Sequence, residues 1–378
     1  MKTIRLIAVG SLAAAIFACS SSPPGGFGTE GPEQDSGAPG TSSGEVGSSG
    51  SSGGSTSSSG GNGASSGGAN GNGGSDAGAS SGNNSGDGGL SMSDAAPGDN
   101  PDIDYSVAPV TLTMTPFTVA PGGEVFYCQT FANPWGKQVD VKTYSLDMGV
   151  GSHHMFAFYA TNATDVALAP CANGGLTFGP YTFSAQQPTL TTTYPQSVGA
   201  TIPNQTGFQL MVHYLNTTSA SIQSSVNLTM WIAKPSVVTN HAGALFLNNA
   251  TMTVASDCTQ GCNSTDSYTL MQDVNLLSAD SHMHKYATNF VATTSTGVTL
   301  FSTTQWAEPP AKVFSPALAL TAGTSITWTC TDVNATGQEL TFGESAVTNV
   351  MCIYTSIFYP VSDVTNPVLG SLIGFAGL

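Results

Sequence analysis

Charge is what this chain has least of. Only 8% of its 378 residues are charged, where roughly a quarter is usual. Lys and Arg number 7 against 23 Asp and Glu, for a formal net charge of −16. A nucleic-acid binder releases counterions from phosphates with basic side chains, and here they are nearly absent. A coiled coil or charged helical bundle needs Glu and Lys in quantity, which excludes that class too. Outside the N-terminus no apolar run reaches the 18 or more residues of a spanning helix, so a multi-spanning helical protein is excluded. Histidine is also scarce, at 6, and cysteine stands at 7.

What is present changes along the chain. Lys2 and Arg5 precede an apolar run, Leu6 to Phe17, of signal-peptide length. It ends in Ala18-Cys19-Ser20, which resembles a bacterial lipoprotein signal (1–19) with Cys19 as the acylated residue. The implied protein is exported and held by lipid to a bacterial cell membrane, with the outer membrane or cell surface expected. Residues 20–100 hold 25 of the 45 glycines, 8 acidic residues and no Lys or Arg. Such a stretch buries too little apolar surface to offset its ordering entropy and reads as a disordered stalk. Its r.m.s. reach is roughly 50 Å for ~80 residues.

From about Asp102 the pattern becomes all-β. Val226, Leu228, Met230 and Ile232 alternate with Asn227, Thr229 and Trp231, the period of a half-buried strand. Similar runs recur, separated by turns such as Pro121-Gly122-Gly123 and Ala322-Gly323-Thr324. Many short strands over about 275 residues predict two tandem β-sandwiches. A boundary falls between Lys234 and Ala244, giving domains at 101–236 and 237–378. Beyond Cys19 the cysteines are Cys128, Cys171, Cys258, Cys262, Cys330 and Cys352. An even number in an exported chain reads as three disulfides, with 15 possible pairings. A zinc site is the competing reading, and only Cys258 and Cys262 are spaced for one.

The histidines are not scattered. His153 and His154 are adjacent, His213 sits in Leu-Met-Val-His-Tyr, and His282 and His284 form His-Met-His; only His241 is left over. On a strand, positions i and i+2 share a face about 6.5–7 Å apart, so His282 and His284 can converge on one metal ion. His153 and His154 would point to opposite faces of a regular strand. A shared metal there requires a strand end, a bulge or different ring nitrogens. His213 and Met351 each lie in apolar runs and by themselves read as packing, although a thioether is a soft ligand suited to Cu(I).

The order His-His-Met, apolar-Val-His-Tyr, His-x-His, then Met-Cys with a Tyr-Pro strand end resembles the copper type II, ascorbate-dependent monooxygenases. That family includes peptidylglycine α-hydroxylating monooxygenase and dopamine β-monooxygenase. The resemblance spans about Tyr105 to Pro360. It implies two jelly-roll sandwiches with one copper each, facing across a solvent-filled cleft. His153, His154 and His213 match the electron-donating site. His282, His284 and Met351 match the catalytic site, where O2 is activated and a C–H bond hydroxylated with ascorbate or another one-electron reductant. It also implies the pairs Cys128–Cys171 and Cys330–Cys352, leaving Cys258–Cys262. Zinc at the three-histidine site is chemically allowed as well.

Departures from the family narrow the substrate. Where the peptide-amidating branch carries an Arg two residues before His-x-His, this chain has Asp280; Ile353 and Thr355 also differ from that branch. Peptidylglycine is therefore not the expected substrate; an anionic Asp280 at that position would favour a neutral or cationic small molecule, and the alternative is that Asp280 is a solvated loop residue. The alternative to a monooxygenase is a surface lipoprotein that stores copper or passes electrons without hydroxylating anything. A tethered β-sandwich adhesin is a third reading.

Overall fold

The computed structural model describes residues 90–93, 97–175, 179–361 and 372–375. The signal segment 1–19, Cys19 and nearly all of the 20–100 stretch lie outside the described residues. That stretch is not wholly linker, however. Ser91–Ser93 pairs antiparallel with Thr189–Thr193. Leu90 is buried and Met92 packs on the core, so this is where apolar side chains first repay ordering.

The described residues are all-β apart from one 3-10 turn, Ala172–Gly175. Strands up to His241 form two large sheets. One runs through Val110–Thr113, Val139–Asp147, Thr189–Thr193, Val198–Ile202 and Asn227–Ile232, with Ser91–Ser93 and Asn240–His241 at its margins. The other has the order Val166–Pro170, Glu124–Phe131, Thr206–Leu215, Ser152–Thr161, Tyr181–Ala185. Strands from Gly243 onward form a second pair. One sheet centres on Val274–Met283 and Cys352–Tyr359, flanked by Lys312–Leu320 and Gly243–Asn248. The facing sheet orders Cys262–Thr269, Ser325–Asp332, Ala287–Thr294 and Thr299–Thr303. Pairing thus changes partners between His241 and Gly243, inside the Lys234–Ala244 window and a few residues past 236, because Asn240–His241 still pairs with Val198–Gly199.

Alternation explains the layers. In Asn227–Ile232 and Ser325–Asp332 every second residue is buried. Leu228, Met230, Val141, Tyr144, Phe208 and Val212 join one core, and Trp328, Phe290, Leu276 and Phe358 join another. Full burial of each large side chain contributes about 1.5–3 kcal/mol. Thr206–Leu215 departs from simple alternation, because nearly all of it is buried. Its even positions Phe208, Leu210, Val212 and Tyr214 face the first core. Met211, on the opposite face, packs in a third cluster with Phe158, Tyr181, Ala244, Phe246, Met351 and Ile353. That cluster draws from both halves, so the two halves dock on a shared apolar face.

Disulfides join Cys128–Cys171, Cys258–Cys262 and Cys330–Cys352. These are the pairs the resemblance implies, and they exclude a zinc site at Cys258 and Cys262. Three disulfides are the mark of an exported or extracellular protein.

Candidate metal centre

Strand parity brings five of the six histidines to one place. On Ser152–Thr161, Met155 and Ala157 face the core, so His154 faces the other half together with Phe156 and Phe158. His213 pairs with His154, but the next residue, Tyr214, pairs with Ser152. His153 is therefore the extra residue of a β-bulge, and the bulge turns it to the same side as His154. This is one of the three devices that an adjacent pair needs. On Val274–Met283, Ala279 and Met283 face the second core, so Asp280, His282 and the following His284 lie on the opposite face.

The outcome differs from the cleft that the resemblance implies. The His153 ring lies 5.0 Å from those of His213 and His282, 5.1 Å from His154 and 6.2 Å from His284. His154 is 4.7 Å from His282, and His282 is 5.3 Å from His284. The two ligand sets form one cluster rather than facing across solvent. The apolar face between the halves holds it closed, and no histidine of the five is more than 6% exposed. Two overlapping triads, His153–His154–His213 and His153–His282–His284, each have ligand atoms within 4.8 Å of one another.

Hydrogen bonds fix the ring nitrogens. His153 Nδ1 donates to the Ala307 carbonyl at 3.0 Å and His284 Nδ1 to the Asn349 carbonyl at 3.2 Å. His213 Nε2 donates to the Glu124 carboxylate at 2.8 Å. His282 Nδ1 donates to Gln186 Oε1 at 2.8 Å, and the amide of Gln186 is itself oriented by donating to the Ser281 carbonyl. Acceptors of this kind force the proton onto the bonded nitrogen and leave a lone pair on the other. Those other atoms, Nε2 of His153, His282 and His284 and Nδ1 of His213, are buried and without a partner, as is Nδ1 of His154. An unpaired buried acceptor costs about 1–3 kcal/mol. Five such atoms gathered in one cluster of rings are what a ligand cage presents.

Burial also keeps these rings neutral. It lowers His153 to about 4 and His284 to about 3, and it holds His154, His213 and His282 well below the usual range, with neighbouring imidazoles adding to the effect. Neutral imidazoles are competent ligands for first-row transition ions. The donor set therefore fits a metal.

Met351 is 7% exposed and sits just before Cys352–Tyr359. It lines a narrow cavity of about 30 Å³ together with His154 and His282 and a wall of Phe126, Phe156, Phe158 and Phe246. On another side of the cluster a cavity of about 370 Å³ is lined by His153, Trp306, Ala307 and Glu308.

Asp280 is not a solvated loop residue. It lies within a strand opposite Thr355, accepts from the Ser281 amide at 2.7 Å and is 3.4 Å from Gln186 Nε2. Burial pushes its carboxyl up to about 7, so it is not a fixed anion at neutral pH. His241 lies apart, 2.5 Å from Thr201 Oγ1 in the first half.

Glu124, Gln186, Ala307 and Asn349 escape the sequence reading. Each is 65 to 154 residues from the histidine it orients. No local motif announces such partners, and two of the acceptors are backbone carbonyls that carry no residue signal.

No protein-family model matches the chain, and no curated protein matches it. Among solved structures it is similar to PBCV-1 VP54, fitted into a cryo-EM reconstruction of the virophage Sputnik, with 8% identity, a TM-score of 0.25, and coverage of 67% of this chain and 94% of that one. A second similar structure is the infectious bursal disease virus VP2 subviral particle, at 9% identity, TM-score 0.17, and 70% and 74% coverage. Likeness this loose carries no argument about function.

Proposed function

We propose that this protein is an exported copper-dependent monooxygenase, built on two jelly-roll sandwiches and anchored through Cys19. It would hydroxylate a C–H bond of a small substrate with O2 and a one-electron reductant such as ascorbate. The observation that carries the reading is the Met351 side chain on the same apolar cavity wall as His282 and His154. A thioether beside neutral imidazoles suits copper, which cycles between Cu(I) and Cu(II), better than it suits zinc. Copper held there would supply one-electron redox chemistry and O2 activation.

The chain's own residues have separable tasks. His153, His154 and His213 would hold one ion, and His282, His284 and Met351 the other. Glu124, Gln186, Ala307 and Asn349 keep the ligating lone pairs aimed inward. The phenylalanine wall excludes water and receives an apolar substrate carbon. The larger cavity gives a small reductant a place beside His153. No Lys or Arg lines either cavity, which argues against peptidylglycine and its carboxylate.

The second reading, copper storage or electron transfer, draws on the narrowness of the apolar cavity, about 30 Å³. One experiment separates the two. Copper-loaded protein should bind about two ions and show ascorbate-dependent O2 uptake that rises with a substrate and places one oxygen atom in it. Met351→Ile should cut that turnover more than ~100-fold, beyond the 10–100-fold typical of outer-shell changes. Copper binding with no substrate-dependent uptake across a panel of apolar small molecules favours storage, and zinc-only or single-ion binding sinks the two-copper scheme.

A further inference from the structure

The cavity beside His153 carries no positive charge, and that bears on what binds in it. Val150, Ile222 and Trp306 give it apolar walls, and Thr217 and Thr218 add hydroxyls. Besides His153 the one ionisable group in its lining is Glu308, an exposed carboxylate. The field of the whole folded region has the same sign. Residues 101–378 hold 15 Asp and Glu against 5 Lys and no Arg. A negative field lowers the local concentration of anions and slows their encounter with the site.

Trp306 supplies an aromatic wall. Its ring is half-buried, packs in part on the second core and lies 5.7 Å from the His153 ring. The next residue, Ala307, accepts from His153 Nδ1 at 3.0 Å, so the backbone fixes the two rings relative to each other. A planar molecule stacked on the indole is therefore one aromatic ring away from a member of the three-histidine set. The cavity volume, about 370 Å³, falls within the roughly 300–1,000 Å³ of small-molecule sites. Stacking of aromatic rings adds to what area burial alone gives.

We propose that this cavity is the electron-donor site and that its donor is an uncharged hydroquinone, a planar ring bearing two hydroxyls, rather than an anion such as ascorbate. The inference rests on the monooxygenase reading and names its reductant. The ring stacks on Trp306, and no charge has to be desolvated beside Glu308. Atoms and electrons balance. The hydroquinone leaves as the quinone after giving up two electrons, one for each copper, and two protons. These convert one atom of O2 to water, while the other atom enters the substrate C–H bond.

Two anaerobic measurements on the full chain test this. The first is calorimetric titration with resorcinol, a hydroquinone isomer that forms no quinone. Trp306→Leu should weaken its binding ~10-fold, and Trp306→Phe, which keeps a ring, less than ~3-fold. The second follows loss of the Cu(II) paramagnetic signal when copper-loaded protein is mixed with hydroquinone or with hydroquinone sulfonate, the same ring carrying a negative charge. The parent should be reduced at least ~10-fold faster by the neutral donor, and Glu308→Lys should narrow that ratio below ~3-fold. Should Trp306→Leu fail to fold, the ratio in Glu308→Lys, a surface substitution, carries the test. Resorcinol binding that is absent in the parent, or unchanged in Trp306→Leu, would overturn the site. Equal rates with the two donors, or a ratio that Glu308→Lys leaves as it was, would overturn the preference for a neutral donor. Neither measurement contains O2 or a C–H substrate. Absent hydroxylation therefore leaves the inference standing, and turnover on ascorbate that ignores Trp306 and Glu308 overturns it while the monooxygenase remains.

Discussion

A charged residue that falls on a buried position of an alternating strand marks where this fold is under electrostatic load. Ser325–Asp332 buries every second position, and that rhythm carries Asp332 inward behind Ile326, Trp328 and Cys330. Both of its carboxylate oxygens are buried without a partner. Burial pushes the carboxyl up from 3.8 to about 6. The folded state therefore keeps a proton that the unfolded state gives up between these values, and stability falls as pH rises from about 4 to about 6 and stays lower above that. At 1.36 kcal/mol per pH unit the full effect is about 3 kcal/mol, an upper figure. Asp332→Asn should remove this slope. Urea unfolding at pH 4 and pH 8 should give a gap between the two pH values that is smaller by ~1–3 kcal/mol in the variant; an unchanged gap would show that the carboxylate finds solvent in the native state.

At the scale of one element, the bulge in Ser152–Thr161 decides whether a metal centre forms. A regular strand would send His153 into the core beside Met155, where a neutral imidazole has no use. The extra residue instead places both histidines on the docking face. Gly151 leads into that bulge with φ +84°, a region that side chains rarely adopt, and a Cβ there would lie 2.9 Å from Ile222 Cδ1. Gly151→Ala should cost about 1–2 kcal/mol for the left-handed backbone, with Ile222 adding to it. It should also weaken metal binding by turning His153 away. Unfolding and metal titration of the same sample read both effects, and a variant that loses stability but binds metal normally would separate the bulge from the glycine. The requirement for a bulge could be stated from His153-His154 alone. Its location could not, because it depends on pairing with His213, 59 residues further along.

For the whole molecule, strands, turn positions and the identity of the clustered histidines were legible, since each rests on a local period or a short motif. Val226 to Ile232 alternates as expected, and His282 and His284 share a face as i and i+2. What the chain did not disclose is the closeness of the two halves. That depends on Phe158, Tyr181, Phe246 and Ile353, which read as ordinary core residues until both faces of their sheets are seen to be buried. It depends equally on polar ties between distant segments, and Glu124 is the chief of these. Its carboxylate accepts from His213 at 2.8 Å, from Ser345 Oγ at 2.6 Å and from the Ala346 amide at 2.7 Å. Ser345 and Ala346 begin the turn that ends at Asn349, whose carbonyl orients His284. One side chain of the first half thus holds a ligand of its own half and, through that turn, a ligand of the other. Hydrogen bonds to a charged group contribute about 1.5–3 kcal/mol each, and partial solvent access to Glu124 reduces their sum. Glu124→Ala should therefore cost ~2–4 kcal/mol in urea unfolding and lower metal affinity 10–100-fold, with neither effect confined to one half. Glu124→Gln keeps the shape and one acceptor and should recover at least half of each loss. If Glu124→Ala instead unfolds within ~0.5 kcal/mol of the parent and binds metal as tightly, the docking of the halves rests on their apolar face alone, and the carboxylate merely follows it.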